Sequence, residues 1–592
     1  MVDFPSASGP GLPDATDAAA VVRARALSTP DRTAVILVDD VERSDGSSRW
    51  SYAELDAAAR RIGRRLSSRL SEGDRALLLY PTGFDFVAAY VGCLYAGVVA
   101  VPAPLPGRYR HEQSRVHGIA LNAAVSATLT DTENLPAVAA WAEAEGLPAD
   151  SVEATDSPAP DSPALPDPGD WTPRPFTHET PAMLQYTSGS TGEPKGVVVR
   201  HGNLLHNVES QRRAFDLGPD SRLGGWIPHY HDMGLLGQIL PALLLGGCCV
   251  LMRSSAFLKR PHHWLRMIDE YDVCWSAAPS FAYELCCARI TDEQVAGLDL
   301  SRWRIAANGS EPVDTAVLDA FAKRFAPAGL RADALCPCYG MAEATVFVSG
   351  EAHRGALVTR FDAEALREHR LEPADTGADL VSCGTPRDLD VLIADPRTGE
   401  PLPPGGVGEI RLRGPGIATA YWRAAAATER AFTPDGYLRT GDTGALYEGE
   451  LYVTGRVRER VAVPGGALYP QDIEREARAR HPELVGGGAA FTVPHPEGAG
   501  ELPVLAHEIA GRPEEAELRR LAAAVARTVA VRFGVARCGV VLLRRGGVPR
   551  TTSGKIRRVE MRRLFLSGEL TPLYADCAPD AAEEPAAQGA VG

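Results

Sequence analysis

The chain has 592 residues, too many for one hydrophobic core, and this length predicts about three to five structural units of roughly 100 to 200 residues each. Its hydrophobic fraction of 45% and charged fraction of 23% are typical of soluble globular proteins and exclude extensive disorder. The formal net charge of −15 excludes nucleic acid as the main partner because phosphate neutralisation requires a basic surface, so a polyanionic ligand must be held by a local cluster.

The eleven cysteines occur as scattered singles and as the pairs Cys248-Cys249 and Cys286-Cys287, with Cys336-Pro337-Cys338 nearest to a motif. This spacing matches neither zinc ligands nor a redox pair, and most of the cysteines lie in apolar runs. We therefore expect buried free thiols in a reducing compartment. Residues 1–13 have no basic stretch followed by an apolar core, so no secretion signal is expected and a cytoplasmic location is favoured.

The N-terminal part alternates strand-like and helix-like segments, which is typical of parallel sheets covered by helices. The pattern predicts a strand over Thr33–Leu37, an amphipathic helix over Tyr52–Leu66 and a strand over Arg75–Tyr80. The uncharged run Phe86–Leu105 has about the length that a bilayer needs. Two glycines and two prolines interrupt this run, so we expect a buried helix to Ala96 and a strand over residues 98–101 instead of a membrane span.

Two composition changes divide the chain. Asp150–Thr177 is rich in Pro, Asp and Ser, which indicates a linker or surface excursion. A second boundary is expected near Gly455–Arg460, after two short antiparallel strands predicted within Gly405–Arg413 and Gly449–Val453.

Beyond that boundary we expect a small C-terminal domain of about 130 residues. The pattern predicts a helix over Pro470–Arg480 and strands near Val493 and Val540. The tail after Ala575 consists largely of Ala, Glu, Pro and Gly, and we expect it to be disordered.

The strongest single indication of function is Tyr186-Thr187-Ser188-Gly189-Ser190-Thr191-Gly192-Glu193-Pro194-Lys195-Gly196, which runs into an apolar triplet. Its glycines permit backbone angles closed to other residues, its four Ser/Thr hydroxyls can donate to phosphate oxygens, and Lys195 adds a positive charge. The spacing is not that of a Walker loop, because Glu193-Pro194 separate the glycine from the lysine. We predict a hairpin that holds a triphosphate; for such a cluster in isolation, a solvated turn is the alternative.

Three further segments follow in chain order: Tyr339-Gly340-Met341-Ala342-Glu343-Ala344-Thr345, Tyr437-Leu438-Arg439-Thr440-Gly441-Asp442 and Thr551-Thr552-Ser553-Gly554-Lys555. Together with the glycine loop they resemble the adenylate-forming superfamily, which includes acyl-CoA synthetases, luciferases and peptide-synthetase adenylation domains. The resemblance covers nearly the whole chain. Each segment alone is a weak signal, but four in this order are hard to produce by chance.

Finer features resemble one branch of that superfamily, the fatty acyl-AMP ligases. They are Trp226-Ile227-Pro228-His229-Tyr230-His231-Asp232-Met233-Gly234, Asn308-Gly309-Ser310-Glu311-Pro312, Tyr469-Pro470-Gln471-Asp472-Ile473-Glu474 and an extra segment at about Gly350–Ser382. The resemblance implies ATP-dependent activation of a medium- or long-chain fatty acid to acyl-AMP, with Mg²⁺. It also implies transfer of the acyl group to the phosphopantetheine arm of an acyl carrier protein, as in lipopeptide or polyketide biosynthesis.

The resemblance implies an α/β fold. A large N-terminal region of β-sheets covered by helices, with a small barrel-like subdomain, precedes a small mobile α+β C-terminal domain. The implied boundaries are residues 1–455 for the N-terminal adenylation domain, which contains the extra segment 350–382, residues 456–460 for the hinge, residues 461–575 for the C-terminal lid domain, and residues 576–592 for the disordered tail.

The resemblance assigns catalytic roles to Lys555 and His231. Because a carboxylate must attack the α-phosphorus of ATP, two anions meet, and catalysis is chiefly charge stabilisation and positioning. Lys555 is expected to place its ammonium between the two anions, a task that suits a point charge. A solvated surface lysine is the alternative. His231 is expected to touch the carboxylate or close the acyl tunnel, and a structural histidine is its alternative.

Further roles carried over from the family concern the nucleotide and the metal. Glu343 is expected to hold Mg²⁺, Tyr339 to stack on adenine, Asp442 to accept the ribose hydroxyls, and Arg456 to contact ribose or phosphate. The full nucleotide-binding set is Thr187, Ser188, Gly189, Ser190, Thr191, Lys195, Asn308, Gly309, Ser310, Glu311, Tyr339, Gly340, Met341, Ala342, Asp442 and Arg456.

The acyl pocket is expected to be lined by mostly apolar residues, which suit an alkyl chain. The implied set is Trp226, His229, Tyr230, Met233, Gly234, Ser280, Phe281 and Tyr283. Peptide-synthetase domains place an aspartate against the substrate amino group, and Asp232 lies near that region. The His-Asp-Met-Gly pattern fits the fatty-acid branch better, so an amino-acid substrate ranks lower.

Two departures from the branch concern the lid. Glu459 stands at the hinge position, where the family more often has aspartate. Gly465-Gly466-Ala467-Leu468 replaces the usual Gly-Arg-Asn before the Tyr-Pro-Gln-Asp segment, which puts acyl transfer, not adenylation, in question.

Two other functions stay open at this point. One is an acyl-CoA ligase with the same first step, which would form a thioester rapidly with free CoA. The other is a nucleotide-binding regulatory or scaffold protein without turnover, against which Lys195, Glu343, Asp442 and Lys555 argue.

Overall fold

The computed structural model describes residues 12–148, 151–156, 171–187, 194–463, 466–495, 501–551 and 554–576. Within these residues the N-terminal region contains two large, mostly parallel sheets, and the C-terminal segment forms a separate α+β unit. The α/β class predicted from the alternation of elements is confirmed.

The larger sheet has eight strands in the described part of the chain. Six neighbouring strands are parallel, with the registers Val35 opposite Cys249 and Trp275 opposite Ile305, and both edge strands are antiparallel. In spatial order the strands are Ser349–Gly350, Leu335–Tyr339, Ile305–Asn308, Trp275–Ala278, Arg222–Gly225, Cys248–Met252, Thr33–Val38 and Ser47–Ser51. Parallel strands of this kind are buried on both faces, which explains the continuous apolar run Ala34–Val38.

The second sheet has six described strands and carries the glycine-loop hairpin at its edge. In spatial order they are Val152–Ala154, Ala127–Thr130, Arg75–Leu79, Val99–Ala103, Pro181–Thr187 and Lys195–Arg200. The last two pair antiparallel, with Thr187 opposite Lys195. The ends of the predicted linker belong to the fold, because residues 152–154 form a strand and Phe176 is buried.

Helices pack on these sheets and between them. They are Ala18–Ser28, Tyr52–Ser67, Phe84–Ala96, Arg110–Ala123, Leu135–Ala144, His201–Phe215, Asp232–Gly234, Leu240–Leu245, Ser254–Lys259, His262–Glu270, Ser280–Arg289, Asp292–Ala296 and Thr315–Phe325. A π-helical turn, Leu235–Ile239, joins two of them, and single 3₁₀ turns lie at Leu12–Asp14, Ala326–Ala328, Ala332–Ala334 and Ala342–Ala344. The uncharged run 86–105 is the predicted helix and strand, and no helix among the described residues is long and apolar enough to cross a bilayer.

A four-stranded antiparallel sheet follows, at the position where the sequence predicts short antiparallel strands. Its strands are Asp390–Ala394, Gly408–Arg413, Leu438–Tyr447 and Glu450–Arg456, and the helix Ala425–Ala431 lies between the second and third. The extra segment 350–382 forms the hairpin Val358–Phe361 with Ala378–Val381 and the helix Ala363–Arg367. Phe361 anchors this segment, since its buried ring lies 5.3 Å from that of Tyr452.

The C-terminal unit begins after the 3₁₀ turn Val457–Glu459. It comprises the strand pair Val461–Val463 with Gly466–Leu468, a sheet of Leu484–Pro494, Glu501–Ile509, Gly539–Leu543 and Tyr574–Ala575, and the helices Pro470–Arg480, Glu515–Phe533 and Arg558–Leu566. Gly465 and residues 577–592 of the expected tail 576–592 lie outside the described residues, whereas Asp576 accepts the Val540 N–H at 2.6 Å. The ten described cysteines are all free, and most are buried, in agreement with the sequence prediction.

Candidate active site

A cavity of about 1730 Å³ lies between the N-terminal sheets and the C-terminal unit. Its lining includes Thr187, Gly309 and Gly340, each at or directly after the carboxyl end of a sheet strand. In open α/β sheets this edge is where ligands bind. The sequence motifs therefore converge because strands separated along the chain end at one place.

One end of the cavity is built on a pair of antiparallel strands. Asp442 lies opposite Arg456 in the ladder, and its Oδ1 is 3.2 Å from the Arg456 Nε. Tyr339, at the end of its own strand, donates its hydroxyl to Asp442 Oδ2 at 2.8 Å. Burial and the Asp442 charge raise the pKa of Tyr339, and Asp442 also raises the pKa of Arg456. These three predicted residues form one hydrogen-bonded group.

The segment Asn308–Glu311 borders this group with polar atoms that are short of partners. Asn308 accepts a hydrogen bond from Ser280 Oγ at 3.2 Å, but its Nδ2 has no hydrogen-bond partner among the described residues. Ser310 has a φ of +76° and an Oγ that is likewise unpartnered within the described chain. Glu311 accepts the Phe281 N–H at 3.1 Å, and burial raises the pKa of its carboxyl.

A second polar group surrounds Glu343, which sits in the turn Ala342–Ala344. Tyr421 donates its hydroxyl to Glu343 Oε1 at 2.7 Å, and the Lys195 Nζ lies 5.4 Å from the centre of the Tyr421 ring. Burial raises the pKa of Glu343. Tyr421 was missed in the sequence, since a lone tyrosine far from every motif gives no signal. The predicted Ser188, Gly189, Ser190 and Thr191 lie outside the described residues.

Lys555 enters the cavity from the C-terminal unit on a tight turn. The Thr551 N–H donates to the Lys555 carbonyl at 2.8 Å, and the Lys555 N–H donates to Thr551 Oγ1 at 3.1 Å. Gly554 has a φ of +88°, and a Cβ there would lie 2.8 Å from the Phe281 ring. The turn therefore needs glycine both for its backbone angle and for its contact with the N-terminal region.

Lys555 faces carboxylates in the cavity. Burial lowers the pKa of its ammonium, while the charges of Asp232, Asp442 and Glu311 oppose this shift. Asp232 lies 2.7 Å from His231 Nδ1 through Oδ1. Burial alone would raise the pKa of Asp232, but the charges of His231 and Lys555 outweigh it, so that pKa lies below its usual value.

The other arm of the cavity is apolar. Phe215 packs 6.2 Å from Trp275 and 5.1 Å from Phe347, and a Cβ on Gly237 would lie 3.7 Å from the Trp275 ring. Of the predicted acyl-pocket residues, Tyr230 and Met233 line the cavity. Sequence reasoning missed Phe215, Gly237, Trp275 and Phe347, which come from four separate elements without a shared local pattern.

The remaining predicted acyl residues lie outside the cavity lining. Trp226 stacks on Phe257 at 4.1 Å, and Tyr283 donates its hydroxyl to the Ala307 carbonyl at 2.9 Å. His229 is buried 3.9 Å from the Phe86 ring, and burial lowers its pKa to about 3. Gly234, Ser280 and Phe281 are also absent from the lining, and the Phe281 ring lies 6.0 Å from that of Trp226. A direct contact of these six residues with a ligand stays a prediction.

The C-terminal unit is held by ion pairs around Glu459. Arg558 donates to Glu459 Oε2 at 2.9 Å and to both oxygens of Glu474 at 2.7 and 2.8 Å. These three side chains are mostly buried. The extra segment 350–382 contacts the residue that follows Glu459, because Arg460 Nη2 donates to His369 Nδ1 at 2.8 Å.

A family model described as AMP-binding enzyme matches residues 22–422. The chain is 37% identical over 545 residues to the medium-chain-fatty-acid–[acyl-carrier-protein] ligase JamA of Moorena producens, covering 88% of this chain and 90% of the relative. It is 34% identical over 570 residues to the long-chain-fatty-acid–AMP ligase FadD26 of Mycobacterium marinum, covering 91% and 95%.

A solved structure from a study of fatty acyl-adenylate ligases of E. coli and L. pneumophila superposes with a TM-score of 0.83 at 30% identity. The superposition covers 94% of this chain and 99% of that one. The similarity thus includes both the N-terminal sheets and the C-terminal unit.

We predict that Arg558→Ala destabilises the C-terminal unit by about 3–5 kcal/mol, because it leaves two mostly buried carboxylates without their cation. Thermal unfolding and limited trypsin digestion near residues 456–460 measure this. The matched control is Arg563→Ala, which breaks contacts to Glu560 and Glu569 on the exposed surface and should change little. Equal effects of the two substitutions would contradict the role assigned to Arg558.

Proposed function

This chain belongs to the AMP-binding enzyme family, and we propose that it joins a medium- or long-chain fatty acid to AMP and then passes the acyl group to an acyl carrier protein. In the first step a carboxylate oxygen attacks the α-phosphorus of ATP, the bond to the bridging oxygen breaks, and pyrophosphate leaves. In the second step the phosphopantetheine thiolate attacks the acyl carbon and AMP leaves; the thiol proton passes to solvent.

One observation carries this proposal: a single cavity joins an apolar arm to a polar compartment flanked by Lys195 and Lys555. An alkyl chain gains free energy by leaving water, at roughly 0.8 kcal/mol per buried CH₂, so the apolar arm suits a fatty acid. The names of the relatives support a fatty acid as the class of substrate, with medium-chain and long-chain examples.

The two lysines of the cavity are half of all the lysines in the chain. The 61 basic residues include only Lys195, Lys259, Lys323 and Lys555 as lysines, and all the others are arginines. A compact ammonium can follow a phosphate oxygen whose position changes during reaction, whereas a guanidinium holds a fixed fork. We assign to Lys555 the stabilisation of charge where carboxylate and α-phosphate meet, and to Lys195 a contact with the outer phosphates.

Asp442, Tyr339 and Arg456 are the proposed ribose and adenine group. Asp442 already accepts one hydroxyl, from Tyr339, at 2.8 Å, so its carboxylate is oriented before a ligand arrives. Ribose hydroxyls are donors of the same kind. Asn308 Nδ2 and Ser310 Oγ, which have no hydrogen-bond partner among the described residues, are polar atoms that the base edge can satisfy.

Glu343 is the proposed magnesium ligand. The site fits the ion in its chemistry, because Mg²⁺ takes oxygen ligands and is usually held by one or two carboxylates together with substrate phosphates. Bound Mg²⁺ would supply charge neutralisation to the phosphates. The Tyr421 hydroxyl fixes the orientation of the Glu343 carboxylate through its bond to Oε1.

His231 and Asp232 complete the proposed reaction centre. His231 Nδ1 and Asp232 Oδ1 are 2.7 Å apart, and the Asp232 charge also acts on Lys555. We propose that Asp232 keeps the ammonium of Lys555 protonated against the effect of burial. His231 then orients Asp232 and borders the entrance of the apolar arm.

A carrier protein, not free CoA, is the proposed acceptor. The support is the extra segment 350–382, whose His369 contacts Arg460 at the end of the proposed hinge. The resemblance to fatty acyl-AMP ligases associates this segment with restrained domain motion. JamA is named as a ligase for an acyl carrier protein.

A screen of acids of increasing length with ATP and Mg²⁺ tests both steps. We expect pyrophosphate release and acyl-AMP with medium or long acids, and thioester formation on a phosphopantetheinylated carrier in clear excess over free CoA. Rapid thioester formation with CoA would favour an acyl-CoA ligase. Tight ATP binding without pyrophosphate release from any acid would favour a protein without turnover.

Lys555→Ala should lower the rate of acyl-AMP formation at least about 100-fold, by analogy with loss of an oxyanion donor. Acyl transfer from added acyl-AMP should be retained, since that step does not need the ammonium. The matched control is Lys323→Ala, an exposed lysine whose Nζ lies 2.6 Å from Asp319. Undiminished acyl-AMP production in the Lys555 variant would reject its assigned role.

Gly237→Val should shorten the apolar arm, because the added side chain points toward Trp275, 3.7 Å from the position of a Cβ. We expect kcat/KM for the longest accepted acid to fall at least about tenfold relative to that for a short acid. The reason is that the valine side chain takes up the space of at least one methylene of the alkyl chain. Gly118→Val is the control, since a Cβ there meets nothing within 4 Å. An unchanged chain-length profile would place the alkyl chain elsewhere.

A further inference from the structure

Two histidines and a glutamate come together in a cluster that is not part of the cavity lining. Glu42 lies in the loop between the strands Thr33–Val38 and Ser47–Ser51, and His262 and His263 begin the helix His262–Glu270. One ligand atom from each lies within 4.8 Å of the other two. Glu42 Oε1 is 3.4 Å from His262 Nε2 and 3.5 Å from His263 Nε2.

We propose that Glu42, His262 and His263 bind a transition-metal dication of the zinc type. Zinc takes imidazole nitrogen and carboxylate oxygen at about 2.0–2.2 Å, so two of its ligands at the tetrahedral angle lie about 3.4 Å apart. Both distances from Glu42 Oε1 to the imidazoles have this length. Calcium and magnesium prefer oxygen ligands, so the two nitrogens select against them.

The buried nitrogen of His263 provides independent support. His263 is buried, with 6% of its surface exposed, and its Nε2 has no hydrogen-bond partner among the described residues. A buried polar atom without a partner costs free energy, and such atoms call for an unseen ion or water. This nitrogen lies 3.5 Å from Glu42 Oε1, a long contact whose length suits two ligands of one ion.

Both sides of the site are held rigidly by a buried neighbour. Val41, next to Glu42, is 4% exposed, and Trp264, next to His263, is fully buried and donates its Nε1–H to Ser276 Oγ at 2.9 Å. The residues next to Glu42 and His263 are thus anchored in the core, which limits the movement of the backbone at the site and lowers the entropy cost of binding.

The second oxygen of the glutamate is also engaged. Arg260 Nη1 lies 2.8 Å from Glu42 Oε2 and leaves Oε1 toward the histidines. Partners of this kind orient metal-binding carboxylates. The arginine charge lowers the attraction for a dication, so the site is expected to bind one ion with moderate affinity, completed by water.

The test uses the full chain after chelator treatment and dialysis. Titration calorimetry with Zn²⁺ alone should give one site, and Zn²⁺ should raise the unfolding temperature. Because the chain has eleven cysteines, Co²⁺ is the second probe: nitrogen and oxygen ligation gives visible d–d bands without the near-ultraviolet thiolate charge-transfer band. Zinc that binds through cysteines would overturn the proposal by showing that band.

Glu42→Gln and His263→Ala should each lower the Zn²⁺ affinity at least about tenfold and abolish the stabilisation. Glu42 is exposed, so Glu42→Gln keeps the fold even if His263→Ala does not. The control is His117→Ala: its imidazole lies 3.0 Å from Glu145, and the described part of the chain offers no third ligand there. Zn²⁺ binding that is equal in Glu42→Gln and the unaltered chain, or absent from both, overturns the proposal.

Discussion

The contact between the C-terminal unit and the N-terminal region depends on one interaction, in which the Lys555 ammonium lies in a cavity lined by carboxylates. Lys555 belongs to the C-terminal unit, while Asp232, Glu311 and Asp442, whose charges act on it, belong to the N-terminal region. Burial lowers the pKa of the Lys555 ammonium, and the charges of the carboxylates offset part of this lowering. The site is therefore complete only when the two parts of the chain are in contact, and the contact itself helps to keep the ammonium charged.

The sequence predicted the fold class, and most of the polar residues that it singled out line one cavity. Several of its motifs are local segments at strand ends, and strand ends of parallel sheets converge whatever lies between them, so Thr187, Gly309 and Tyr339 line the same cavity. The helix Phe84–Ala96 was also predictable, because glycine and proline interrupt the run that follows it.

The apolar half was not predictable from local patterns. Phe215, Trp275 and Phe347 reach the cavity from different elements, and each looks like an ordinary core residue in its own segment. Trp226 and Tyr283, which are expected in the acyl pocket, do not line the cavity, and Trp226 stacks on Phe257. Their contact with a ligand stays a prediction. Whether an apolar residue faces the cavity or the core beside it depends on how segments distant in the sequence pack together. The local sequence pattern does not determine this packing.

The contacts of Arg558 have a consequence for the proposed turning of the C-terminal unit about residues 456–460. Glu474 and Arg558 lie in the same unit, so turning that unit about residues 456–460 preserves their two hydrogen bonds and disturbs only the one to Glu459. A hydrogen bond to a charged group contributes about 1.5–3 kcal/mol, a cost small enough for thermal motion to overcome. The contact of Arg558 with Glu459 therefore favours one angle of the C-terminal unit about the proposed hinge, while the pair with Glu474 keeps the unit itself intact at any angle.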